Sequence, residues 1–138
     1  MLHLVTQAGL DDRFAIESAG TGGYHVGERP DRRTLQTART RGVTLPSRAQ
    51  QWIASDFARF DLILAMDADN RDALLRLAPD RAARDRVLLL RSFDPEAPPD
   101  APVPDPYYGG ADGFEEVFDV CESACRGLLA HLRRAYAL

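Results

Sequence analysis

"DLILAM", residues 61–66, sets five apolar side chains in unbroken succession behind Asp61. A half-exposed strand alternates apolar with polar residues; this run does not, so a strand here is covered on both faces, as in a parallel sheet. "RVLLLR", residues 86–91, has the same character. Between the two, "NRDALLRLA" at residues 70–78 follows the helical period, with Asp67 or Asp69 as its cap and Pro79 as its stop. Strand, helix and strand in that order make a crossover, which is right-handed and leaves its strands parallel.

The same unit extends outward from this centre. "FAIES", residues 14–18, reads as a short strand passing into the small-residue loop "AGTGG". "DRRTLQTART", residues 31–40, predicts a helix from about Asp31 to Arg41, preceded by Pro30 and ended by Gly42. Ser55 is expected to cap the short segment "SDFARF". The last helix is expected to begin at Asp112, with Glu115 three residues on as a capping-box partner. Its apolar stripe runs through Phe114, Val117, Phe118, Cys121, Cys125, Leu128, Leu129 and Leu132. The pattern predicts an α/β fold, a doubly wound parallel sheet between two helical layers, as one domain over residues 1–138.

The opening "MLHLVTQAG" fits differently. Leu2, Val5 and Ala8 with Gly9 as terminator read as the tail of an amphipathic helix that has no cap and no entry. A doubly wound sheet normally begins with a strand whose loop feeds the first helix. The expectation is therefore that a strand, a loop and half a helix, roughly two dozen residues, do not lie in this sequence.

Composition narrows the function. With 45% hydrophobic and 28% charged residues the chain is that of an ordinary globular protein. A net charge of −4 and a pI near 5.3 argue against a phosphate-tracking nucleic-acid binder. No apolar run reaches the length of a membrane span and no signal peptide opens the chain, so the expected compartment is the cytoplasm, with no membrane partner. His3, His25 and His131 are dispersed and the two cysteines stand on one helical face, so neither a metal nor a cofactor is expected and the thiols read as core packing.

One loop carries chemistry. In "PVPDPYYGG", residues 102–110, three prolines exclude helix and inner strand and hold Asp105 beside Tyr107 and Tyr108. A carboxylic acid next to aromatic surface is poorly solvated, which suits a proton donor; an aspartate before proline is also an ordinary turn residue.

"ESAGTGGYHVGERPD", "SDFARFDLILAMDADN" and "DPYYGG" before an acidic-aromatic helix start resemble the low-molecular-weight protein tyrosine phosphatases, in order and over essentially the whole chain. The resemblance implies a four-stranded parallel sheet and hydrolysis of phosphotyrosine monoesters, on tyrosine-phosphorylated proteins, through a cysteinyl-phosphate. The family's nucleophile lies in a C-x-x-x-x-x-R-[ST] loop between first strand and first helix. Neither Cys121 nor Cys125 has that context, so the first strand and its loop are expected to be missing and the chain inactive as written. The resemblance further implies that Asp105 is the general acid, that Tyr24, Tyr107 and Tyr108 wall the cleft, and that Ser18 supports the phosphate loop. In the family's strand order the first strand lies between those at 14–18 and 61–66, so self-association through the exposed sheet is expected. Where many members carry a histidine, "PSRAQQ" offers Ser47 and Gln50. The alternatives are a non-catalytic phosphoprotein-binding member of the fold and an arsenate reductase, the latter poorly served by two cysteines on a packed helix.

Overall fold

In the computed structural model, residues 1–106 and 110–138 are described, apart from the side chains of residues 110 and 111. The centre is as the apolar runs require. Strands β1 (Ile63–Ala65) and β2 (Val87–Leu89) pair in parallel, with Ile63 opposite Val87 and Ala65 opposite Leu89. The crossover between them carries α3 (Ala68–Leu77) and a second short helix, α4 (Arg81–Asp85), which the periodicity does not announce. Asp67 is the cap of α3, accepting from the Asn70 N–H at 2.7 Å, and Asp80 caps α4 in the same way at 2.8 Å.

Alternation along the strands divides the core in two. Ile63, Ala65, Val87 and Leu89 face Phe57, Leu74 and Ala83, beneath α3 and α4. Leu62, Leu64 and Leu90 face the opposite cluster with Leu4, Ala124, Cys125 and Leu128. That second cluster joins α1 (Leu2–Gln7) to α5 (Gly110–Tyr136), so helices cover both faces of a parallel sheet and the fold is α/β. The apolar face of α1 centres on Leu4 and Val5, whereas Leu2 is 46% exposed, a shift of the expected stripe.

Helix α2 (Arg32–Thr40) runs as expected, with Asp31 bonding the Arg33 N–H at 2.8 Å and Gly42 at φ +72°. It is tied to α5 through Arg41, whose guanidinium meets Glu115 at 2.5 Å and Asp119 at 2.7 Å and lies over the Phe118 ring. Against the 3-10 turn at Leu90–Phe93, α5 packs so closely that a Cβ at Gly127 would overlap the Phe93 carbonyl.

Four expectations are corrected. Phe14 is extended, but residues 14–18 form no strand; among the described residues no ladder pairs with them, and Ile16 is 38% exposed. The one pairing nearby is a single parallel bridge between Gly20 and Gln51. Ser55 caps nothing, because the turn at Ala54–Ala58 is closed by the Asp56 carboxylate accepting from the Ile53 N–H at 2.9 Å. The last helix starts at Gly110, two residues before Asp112, which lies in its first turn. The run "RVLLLR" leaves the strand after Leu89 and turns at Leu90. Among the described residues β1 is therefore paired along one edge only.

Candidate active site

The loop that carries Asp105 starts from the turn after β2 and is fastened at both ends. Asp94 is 8% exposed, and one of its oxygens accepts from the Glu96 N–H at 3.0 Å and from the Ser123 hydroxyl of α5 at 3.1 Å. Burying a carboxylate this far is costly unless it is hydrogen-bonded, and these two donors supply that. At the far end, the Val103 N–H donates to the Met66 carbonyl at 2.7 Å and Arg91 Nη1 donates to the Pro102 carbonyl at 2.8 Å. Met66 directly follows β1, so the loop crosses the carboxyl end of that strand, the edge where open α/β sheets bind ligands.

Two residues beyond this anchor, Asp105 is exposed between Pro104 and Pro106. The poorly solvated setting expected for it is not formed by the described residues. Pro106 rests closely on the start of α5: a Cβ at Gly113 would lie 3.2 Å from the Pro106 carbonyl oxygen. Tyr107 and Tyr108 lie outside the described residues.

Ser18 and Tyr24 belong to a second loop, held by a separate clamp. Residues 18–28 run alongside 47–52 through Gly20 N–H to Gln50 O at 2.8 Å, Trp52 N–H to Gly20 O at 2.8 Å and Gly27 N–H to Ala49 O at 2.7 Å. The Gln50 side chain adds a bond from Nε2 to the Ser18 carbonyl at 2.9 Å. Gln50 thus ties the Ser18 loop to the 47–52 segment by side chain as well as by backbone. Trp52 carries the clamp into the core, edge-on to Phe57 with ring centroids 5.2 Å apart.

A cavity of about 250 Å³ opens between Ser18, Gly20, Arg29, Ser47 and Arg48. It includes Ser18 but neither Asp105 nor Tyr24, a residue that is 94% exposed. A larger open hollow of about 970 Å³ is lined by α2 side chains such as Arg32, Gln36 and Arg39 and by no candidate site residue. The described residues thus anchor the Asp105 loop and the Ser18 loop separately, and neither of these two cavities is lined by both.

The cysteines are core residues. Cys125 is 8% exposed in the cluster beneath α5, and Cys121 is half-buried one turn earlier. Burial, then the neighbouring Cys125, pushes the Cys121 thiol up to about 11, so almost none is thiolate near neutrality. Among the described residues no group of three or more His, Cys, Asp or Glu is placed to hold a metal, and no helix is long and apolar enough to cross a membrane.

Reading the sequence alone misses Arg91 and Asp94, which fix the acid loop. The available signal was the charged ending of an apolar strand, followed by an aspartate in "RSFDP".

Comparison with known proteins bears on all of these residues. The profile described as low molecular weight phosphotyrosine protein phosphatase matches residues 1–137. A low molecular weight protein-tyrosine-phosphatase of Streptomyces coelicolor is 48% identical over 130 residues, 94% of this chain and 79% of its own. The human low molecular weight phosphotyrosine protein phosphatase is 35% identical over 127 residues, covering 91% of this chain and 79% of its own. Among solved structures, a protein tyrosine phosphatase from Entamoeba histolytica superposes with a TM-score of 0.90 at 33% identity, over 98% of this chain and 85% of that one.

Proposed function

The chain belongs to the low molecular weight phosphotyrosine protein phosphatases, and from that premise we propose that its residues serve the hydrolysis of phosphotyrosine monoesters on protein substrates, with Asp105 as general acid. Expelling an aryl oxide from phosphorus needs a proton on the leaving oxygen, and a positioned carboxylic acid supplies it. The observation that carries this reading is the pinning of the Asp105 loop across the carboxyl end of β1 by the Val103 N–H and the Met66 carbonyl. Tyr24, Tyr107 and Tyr108 offer aromatic faces to the substrate ring, and Ser18 offers its hydroxyl to a phosphate-binding loop.

The covalent step needs a thiolate in an anion-cradling loop with an arginine. The 138 residues contain no C-x-x-x-x-x-R, and Cys121 and Cys125 are packed in α5. We therefore infer that these residues alone do not turn over phosphotyrosine, and that activity requires a C-x-x-x-x-x-R-[ST] strand and loop joined ahead of them. The domain is on this reading N-terminally incomplete. The open edge of β1 then carries self-association in the 138-residue form, and a strand seated there removes it. The cytoplasm, where free thiols stay reduced, is the compartment that fits.

The test compares p-nitrophenyl phosphate hydrolysis by the 138 residues with hydrolysis by a loop-bearing form, expressed with the in-frame codons upstream. Turnover by the loop-bearing form alone supports the proposal, and sedimentation of both reports the association. Turnover by the short form that is lost in Cys121→Ser or Cys125→Ser overturns it. Inactivity of both, with retained phosphopeptide binding, favours the non-catalytic binding reading.

A further inference from the structure

We propose that Arg91 is the positioning residue of the acid loop: by holding the Pro102–Val103 peptide against the end of β1, it aims Asp105 at the leaving group. The inference rests on the reading of Asp105 as general acid.

The two contacts at the loop's anchor fall on one chemical unit. Arg91 Nη1 donates to the Pro102 carbonyl at 2.8 Å, and the Val103 N–H of the same peptide bond donates to the Met66 carbonyl at 2.7 Å. A peptide bond is planar, so fixing its donor and its acceptor from two directions fixes the orientation of the whole plane. Either contact alone leaves the plane free to swing about the other. Among the described residues no other side chain bonds this peptide unit.

The chain beyond the plane then has few ways to move. Val103 precedes Pro104 and is restricted to extended conformations; Pro104 has its φ locked; Asp105 precedes Pro106 and is restricted in turn. Orientation set at residues 102–103 is therefore transmitted to Asp105 with little loss. The arginine is itself well fixed at its base, since it lies in the turn at Leu90–Phe93, which continues directly from β2 and packs against α5. Its Nε is buried without a hydrogen-bond partner, a cost the fold carries while the other end of the guanidinium reaches the loop.

A general acid misplaced by about an ångström loses much of its effect, and the loss shows only where protonation of the leaving oxygen matters. In the loop-bearing form, Arg91→Met is expected to lower kcat on phenyl phosphate by about tenfold and to leave kcat on 2,4-dinitrophenyl phosphate within about twofold. Arg91→Lys, which keeps a cationic donor, is expected to recover most of the loss. In the 138-residue chain, Arg91→Met is expected to speed exchange of the Val103 amide by about tenfold and to leave the Ile63 amide, bonded to Arg86 O at 2.9 Å, protected.

Asp105→Asn, assayed on the same two substrates, separates the two ideas. A leaving-group split in Asp105→Asn with none in Arg91→Met overturns the role of Arg91 and leaves the acid in place. No split in Asp105→Asn overturns the acid reading and this inference together. Equal losses on both substrates in Arg91→Met, or an unchanged Val103 amide, also overturn it.

Discussion

Replacing Gly127 by alanine puts one methyl group where α5 leaves no room for it. In the middle of a helix that exchange ordinarily helps, by about 0.8–1.0 kcal/mol, because glycine gives up more backbone freedom. Here a Cβ would lie 2.9 Å from the Phe93 carbonyl carbon and overlap its oxygen. The obstacle is backbone, which has no rotamer to retreat into, and it belongs to a turn fixed by β2 on one side and by Asp94 on the other. Relief requires α5 to move off the turn, loosening Leu128 and Cys125 against Leu90. Overpacking of a well-filled core costs about 1–3 kcal/mol, and an immovable neighbour puts this case at the upper end. The net expectation is a loss of about 2 kcal/mol. With a urea m-value of roughly 1–3 kcal/mol/M, the unfolding midpoint falls by about 1 M. Gly113→Ala is the milder comparison, since its Cβ would stand 3.2 Å from the Pro106 oxygen, a tight approach rather than an overlap. There the helix-propensity gain roughly cancels the contact, and the midpoint stays close to that of the parent. A Gly127→Ala chain that unfolds at the parental midpoint or above it refutes the reasoning, as does a Gly113→Ala loss of equal size.

Asp67→Ala removes the side-chain acceptor at the start of α3 and should cost about 1 kcal/mol by urea denaturation, with Asp67→Asn costing much less. Cys121 makes stability depend on alkaline pH: its folded thiol titrates near 11, above the ordinary 9.0, so below pH 9 both states hold the proton and the contribution is complete. Between pH 9 and pH 11 the unfolded chain releases a proton that the fold retains, and stability falls by up to about 2 kcal/mol. Urea midpoints at pH 8 and pH 10.5 should converge in Cys121→Ala, and a slope unchanged by that substitution would exclude this origin. In the loop-bearing form, Asp105→Asn should slow hydrolysis of phenyl phosphate by about 10²–10⁴-fold and that of 2,4-dinitrophenyl phosphate far less. Parallel losses on the two substrates would remove Asp105 from the role.

The parts legible in the sequence are those whose cause is local. Unbroken apolar runs at 61–66 and 86–91 mark the two paired strands, although the second leaves its strand after Leu89, and of the two aspartates that could cap the helix before Pro79, Asp67 takes the place because it stands directly ahead of the first helical residue. Residues 14–18 have the right composition for a strand, but a strand is made by its neighbour's ladder, and among the described residues none pairs with them. Ser55 lost its role to Asp56, which reaches the same turn from inside it. The start of α5 was placed two residues late because a capping pattern in sequence does not say which residue leaves the extended chain. In the site, proline chemistry made the Asp105 loop visible. Arg91 and Asp94 were not, since their partners stand 11 and 29 residues away and come into reach only once β2 and α5 are packed.

Because Asp94 and the Pro102–Val103 peptide are each tied to separate parts of the framework, the stretch between them is a bridge whose span is set by its piers. Its contour length is then free to vary: doubling such a segment adds only about 0.6 kcal/mol of closure entropy. Residues 95–100 are accordingly where relatives of this chain can gain or lose residues without displacing Asp105, and where a reporter sequence can be inserted at little cost. The same residues inserted after Val103 would lie beyond the second pier, and every one of them would be felt at Asp105.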